Sequence, residues 1–273
     1  MTQTSSCPSR PSEASHLNYL TKQISKPLLG FLGYCLIAIW FEVKYLGEDL
    51  TVSSDVQAVA SLFLGSLLAL RLNTSYNKWW EARTLWGRLV NEERNLAAYA
   101  ASLQIVSGQA KARLRGLLVE YPTVLMQHLR CPSTTAHRPA AVASGVIAEL
   151  QEWRRQDWID GWQWSRLALV SESLLQVCGG CERIRSSPLA RSYHTAIMAC
   201  IWLYLIAVPL ALHWRPWTVP LALTVAAFFL VMEQVASDID EPFGVAPEDL
   251  PLERLCQTIA ASVEQLLPAA GDE

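Results

Sequence analysis

Apolar residues fall in four runs along this chain, separated unevenly by polar stretches. Leu28–Phe41 is apolar behind Lys22 and Lys26, with Glu42 and Lys44 near its end. Val56–Leu72 is the second run, rich in small residues: Ala58, Ala60, Ser61, Gly65, Ser66 and Ala69. Ala196–Leu212 and Trp217–Met232 are the third and fourth, joined by the turn His213-Trp214-Arg215-Pro216-Trp217. A helix crossing a bilayer needs about 20 apolar residues, with about 17 as the lower limit. The pattern therefore predicts four spans. The first is short, and crosses only if Glu42 reaches the far headgroups or faces a protected interior. Two readings of Glu42 follow, an interfacial carboxylate or a pore feature.

The second run does not stop at its polar edge. From Arg71 to Leu96 aromatic, basic and acidic residues continue at helical spacing. Ala82, Leu85, Trp86, Leu89, Leu96, Ala97, Ala100 and Leu103 recur at three and four, the stripe of an amphipathic helix. Lys78 with Glu81 and Arg88 with Glu92 can pair on the other face. One long helix is predicted, its first half in hydrocarbon and its second half outside. Further helices are expected over 109–130, with Pro122 as a kink or break, over 141–153, over 161–184, weakened by Gly179-Gly180, and in a last segment ending near Leu267. The organisation is a disordered tail over 1–17, two spans within 18–72, a helical region over 73–190, two spans within 191–238, and a C-terminal segment over 239–273. The tail lacks the short apolar region of a secretory signal. Lys22, Lys26, Arg71, Lys78, Arg83, Arg185 and Arg191 flank the spans on one side, with little more than Lys44 and Arg215 on the other. Basic residues near span ends favour the cytoplasm. Both termini and the middle region are expected there, in a multi-pass protein of the bacterial inner (plasma) membrane.

Composition narrows the chemistry. The 273 residues include 51% hydrophobic and 17% charged, with net charge −3 and no basic run interleaved with aromatics. Nothing points to nucleic acid. Seven scattered cysteines are not a disulfide framework. Cys178-Gly-Gly-Cys181 is a lone CxxC, where zinc needs two more ligands, so packing is the simpler reading. The five histidines are dispersed, with no zinc-hydrolase spacing. No catalytic constellation stands out, and an enzyme is not expected. Trp153, Trp158, Trp162 and Trp164 cluster, either as a ligand platform or as packing at a subunit or headgroup boundary. The fourth run ends in Glu233, Asp238, Asp240 and Glu241. Carboxylates oppose the helix dipole at a C-terminus. Either they have basic partners from the helix after the second span, or they form a charged ring in a vestibule, which favours cations.

Three blocks, in order, carry a family resemblance. They are Asn73 to Leu96, Cys181-Glu182-Arg183-Ile184-Arg185 with Pro188, and Asp238-Ile239-Asp240-Glu241-Pro242-Phe243-Gly244 with Asp249-Leu250-Pro251-Leu252. Together they resemble prokaryotic bestrophins, homologues of the vertebrate bestrophin channels, over about residues 19–267. The resemblance implies an all-α membrane protein, a homopentamer with four transmembrane helices per subunit and a large helical cytoplasmic region. It implies passive conduction of monovalent ions through a central pore, with chloride or other anions placed first and a monovalent-cation channel as the alternative. A non-conducting membrane scaffold is the alternative of another class.

In the family, residues four apart on the second helix form a hydrophobic neck. The positions implied here are Leu62, Ser66 and Leu70, which share one helical face. Ser66 stands where the family has a bulky apolar residue. A second constriction is implied around residues 184–189, with Ile184 as its candidate. The animal members bind calcium with a run of acids after Pro-Phe-Gly. Here Val245, Ala246 and Pro247 follow, and Asp249 is the residual position. Calcium takes six to eight oxygen ligands, so no strong calcium site and no other cofactor are expected. The expected partners are further copies of the chain, the bilayer and the permeant ions.

Overall fold

The computed structural model describes residues 16–41, 44, 54–131, 137–187, 191–211 and 218–268. Residues 1–15 of the expected N-terminal tail, Glu42, most of the first loop and the His213–Trp217 turn lie outside the described residues, while residues 16 and 17 already belong to the first helix. Within them the chain is helical, and no strand occurs. The helices are α1 (His16–Phe41), α2 (Ser54–Ser102), α3 (Gly108–Arg130), α4 (Arg138–Arg155), α5 (Gly161–Ser186), α6 (Arg191–Ala211), α7 (Thr218–Asp238) and α8 (Leu252–Leu266).

Two separate cores form. One gathers Phe31, Cys35, Leu64, Leu68, Ile201, Leu205, Ala226 and Phe229 from α1, α2, α6 and α7. The other gathers Trp86, Leu89, Leu114, Leu125, Leu150, Trp153, Leu174 and Ile259 from α2, α3, α4, α5 and α8. Among the described residues only α2 contributes to both. Its 49 residues make a rod of about 74 Å at about 1.5 Å per residue. Leu64, Leu68, Arg71, Ser75, Ala82, Trp86, Leu89, Glu93, Ala97 and Ala100 are all buried along one side. That stripe holds its angular position for ten turns, and so keeps α2 against two different sets of neighbours.

The first layer is apolar outside as well as inside. α1, α2 and α7 are each long and apolar enough to cross a membrane, yet only 17%, 17% and 33% of their most apolar windows is buried. Leu36, Ile37, Val59, Leu62, Phe63, Leu203 and Phe228 face outward. Exposure on this scale far exceeds what a water-soluble monomer shows. α6 is apolar over Ser192–Val208, and the Tyr34 hydroxyl of α1 donates to its Ile206 carbonyl at 2.9 Å.

The second layer is joined by directional contacts. Ser107 caps α3, and Asp160 with Gln163 forms a reciprocal cap on α5. Arg113 of α3 clasps both oxygens of Glu149 on α4 at 2.9 Å, and the Trp153 indole donates to the same carboxylate. The buried Tyr121 hydroxyl donates to the Leu174 carbonyl at 2.6 Å, tying α3 to α5. α3 continues through Pro122, whose ring is buried. Of the expected kink or break, the break does not occur, because the lost N–H leaves one carbonyl unmatched while packing holds both halves. α5 likewise continues through Gly179-Gly180. A Cβ at Gly180 would come within 2.9 Å of the Leu85 side chain. That glycine therefore sets how closely α5 approaches α2.

Glu93 breaks the apolar character of this core. It lies about 30 Å past the apolar part of α2, is fully buried, and neither oxygen has a hydrogen-bond partner among the described residues. Burial alone drives its carboxyl well above the ordinary value. A folded-state pKa above the unfolded one leaves stability intact in acid and erodes it as pH rises through the raised value. The slope is at most about 1.4 kcal/mol per pH unit. Glu93→Gln should flatten this dependence. Thermal melting across pH should show the two proteins alike in acid and the variant more stable in alkali.

Candidate functional site

The two cores meet where α2 passes α7. Arg71 is on the buried stripe and 3% exposed. Its guanidinium lies 3.7 Å from Glu233 on α7 and 3.9 Å from Asp240 just beyond α7, and it donates to the Ser75 hydroxyl at 3.3 Å. Lys78, two turns on, is 3.5 Å from Asp240. His194 on α6 is 2.8 Å from Glu233. Two fixed cations therefore face two carboxylates, and the seam is formally neutral. Attraction at about 4 Å is worth about 4 kcal/mol in a protein-like dielectric, against several kcal/mol to desolvate each ion. The near-balance makes the cluster a determinant of register more than of net stability.

The acidic residues expected to act together have separate surroundings. Asp240 is buried against Arg71 and Lys78. Asp238 accepts from Gln234 at 2.7 Å. Glu241 is exposed. Asp249 is 6% exposed, and its Oδ2 takes the Ala246 N–H at 2.5 Å, closing the turn after α7. A Cβ at Gly244 would collide with that same oxygen at 2.5 Å. Asp238, Glu241 and Asp249 border one cavity of about 520 Å³, but their oxygens do not converge on a point.

Leu62, Ser66 and Leu70 lie opposite the buried stripe. Leu62 is 75% and Leu70 61% exposed. The Ser66 hydroxyl donates to the Leu62 carbonyl at 2.8 Å, so its proton is already satisfied within the helix. The same exposed line runs from Val59 through these three to Asn73, Asn77, Trp80 and Thr84. It changes from apolar to polar within a few turns. Ile184, the candidate for a second constriction, is a correction. It is 3% exposed and packs inside the second core. It borders a cavity of about 810 Å³ but stands on no exposed face of the protomer.

Cys178 and Cys181 are buried thiols in the second core. Burial, then the Glu182 charge and hydrogen bond, push Cys178 up to about 12. Burial also raises Cys181. The four tryptophans do not form one surface. Trp153 is buried, Trp162 is 80% exposed, and Trp164 stacks under Arg154.

Sequence spacing missed one further grouping. His128, His137 and Glu182 come from α3, the residue capping α4, and α5, and their ligand atoms lie within 4.8 Å of one another. Burial pushes Glu182 upward, but hydrogen bonds from both imidazoles outweigh it and leave the carboxyl below its ordinary value. His194, at the seam, gave no signal in the sequence either.

Comparison with known proteins covers nearly the whole chain. The family model described as bacterial/fungal bestrophin protein matches residues 17–265. A protein of Ralstonia nicotianae called a voltage-dependent anion channel-forming protein is 31% identical over 269 residues, 89% of this chain and 88% of its own length. One of the same description from Synechocystis is 28% identical over 260 residues, 86% and 83% of the two chains. The crystal structure of a bacterial bestrophin homolog from Klebsiella pneumoniae superposes with TM-score 0.83 at 22% identity, covering 89% of this chain and 98% of that one.

Removing Arg71 leaves the buried Glu233 without its fixed cation, with His194 as its remaining neighbour. Arg71→Met should destabilise by about 3–5 kcal/mol. Arg71→Met with Glu233→Gln should recover most of the loss in thermal melting. Additive losses would show that the two groups do not interact.

Proposed function

This chain belongs to the bacterial/fungal bestrophin family, and on that premise we propose that it is a passive ion channel of the bacterial inner membrane. Five identical copies surround one central pore. Each supplies four spans: α1, the first part of α2, α6 and α7. The second layer and both termini are cytoplasmic, in line with the basic residues that flank the spans. Conduction breaks no bond and needs no catalytic group.

The observation that carries this reading is the second face of α2. A helix with a constant buried stripe can present its opposite face to a shared axis along its whole length. Val59, Leu62, Ser66 and Leu70 would make an apolar neck, and Asn73 and Asn77 the polar widening beyond it. With the Ser66 hydroxyl bonded to its own helix, the neck remains a dehydration barrier of the kind that gates by dewetting.

Anions are the favoured ions. Two relatives are called anion channel-forming proteins. An acidic vestibule would favour cations, but Asp240 lies beside two cations that offset its field. Calcium plays no part in this reading, since Asp249 is committed to closing its turn.

Purified protein in a planar bilayer under a KCl gradient tests the proposal. The expected reversal is near the chloride equilibrium potential, with larger conductance for Leu70→Ala. Reversal near the potassium potential would establish the cation alternative. Silence from verified pentamers would favour the scaffold. Chelating calcium should leave the current unchanged, and loss of current on chelation would return Asp249 to a ligand role.

A further inference from the structure

Two imidazoles converge on one carboxylate oxygen in the second layer. His128 Nε2 is 2.7 Å and His137 Nε2 2.8 Å from Glu182 Oε1. The rings are 4.9 Å apart and tilted by 38°. Nothing in the spacing of these residues joins them. The fold does, by bringing the last turn of α3 and the start of α4 against the last two turns of α5. Exposure rises from 14% at His128 to 37% at Glu182 and 45% at His137, so the group is anchored inside and open to water on one side.

We propose that His128, His137 and Glu182 form a binding site for a divalent transition cation, with Zn²⁺ the best match. Two imidazole nitrogens and one carboxylate suit a borderline metal, and the open side leaves room for water as a fourth ligand. Tetrahedral coordination places ligand atoms about 3.3 Å apart. Each imidazole–carboxylate pair has to open from its hydrogen-bonded distance of 2.7 or 2.8 Å, within a group whose ligand atoms already lie within 4.8 Å of one another.

The surroundings favour this in part and oppose it in part. Of the nearby arginines, Arg183 is paired with Glu81 and Arg130 with Glu253. Arg185 and Arg138 bond neutral groups, the His128 carbonyl and the Gln127 amide, and their charge weakens the site without blocking it. His137 Nδ1 now accepts the Ala140 N–H at 3.1 Å, which puts its proton on Nε2. A metal at Nε2 moves that proton to Nδ1 and releases the capping bond, a small loss beside a metal–imidazole bond. The bound ion would clip α3, α4 and α5 together.

The capping role supplies the discriminating variant. His137→Asn keeps a good helix cap but removes the ligand. Tag-free, chelator-stripped full-length protein in detergent should bind one Zn²⁺ per chain in calorimetric titration and melt at a higher temperature with ZnCl₂. His137→Asn and His128→Gln should each weaken binding by about tenfold or more, at least what losing an outer partner costs, with the metal-free melting of His137→Asn lowered only slightly by the loss of its exposed bond to Glu182. Co²⁺ should give a tetrahedral spectrum without a sulfur-to-metal charge-transfer band. No saturable binding, binding untouched by His137→Asn, or a thiolate spectrum abolished by Cys131→Ser would each overturn the assignment.

Discussion

Everything in this fold hangs on a single unbroken helix that has to satisfy two solvents. In hydrocarbon a peptide group has no water to bond, so the backbone must be paired internally. α2 meets that demand along its first turns and then carries the same hydrogen-bond ladder into the polar layer. Its buried stripe never rotates away, from Leu64 to Ala100. What changes is the opposite face, from Leu62 and Leu70 to Asn73 and Asn77. A break at the transition would leave unpaired peptides where neither lipid nor core could accept them.

The transition is also where charge enters the protein. Arg71 falls on the buried stripe because the stripe's period demands a residue there, and the seam answers with Glu233 and Asp240. The pairs are long and close to break-even energetically. Their effect is to fix how far along α2 the end of α7 can sit, since a slide of one turn would leave a buried charge alone. The turn after α7, closed by Asp249 and kept tight by Gly244, then sends α8 back onto α2 and α3. Arg130 completes that return by bonding Glu253 and the Phe243 carbonyl. Seam and C-terminal segment thus hold each other in place. Their mutual neutralisation also keeps acidic residues from dominating the field at this level.

The sequence by itself determined a good deal: the helical class, the apolar runs and the continuity of α2. These follow from hydrophobic period and length, which are local properties. Pairing of the acids after α7 with basic residues of α2 was legible as a need, because carboxylates at a helix C-terminus require partners. Tertiary structure alone decided which residue met which. It put Ile184 inside the core instead of on a surface, since a single apolar residue in an amphipathic helix does not say which neighbour will cover it. It carried α3 through Pro122 and α5 through Gly179-Gly180, where packing outweighed local propensity. It buried Glu93 among apolar residues and drew His128, His137 and Glu182 to one point. Those positions are separated by up to 54 residues, and no periodicity within one helix records where another helix will cross it.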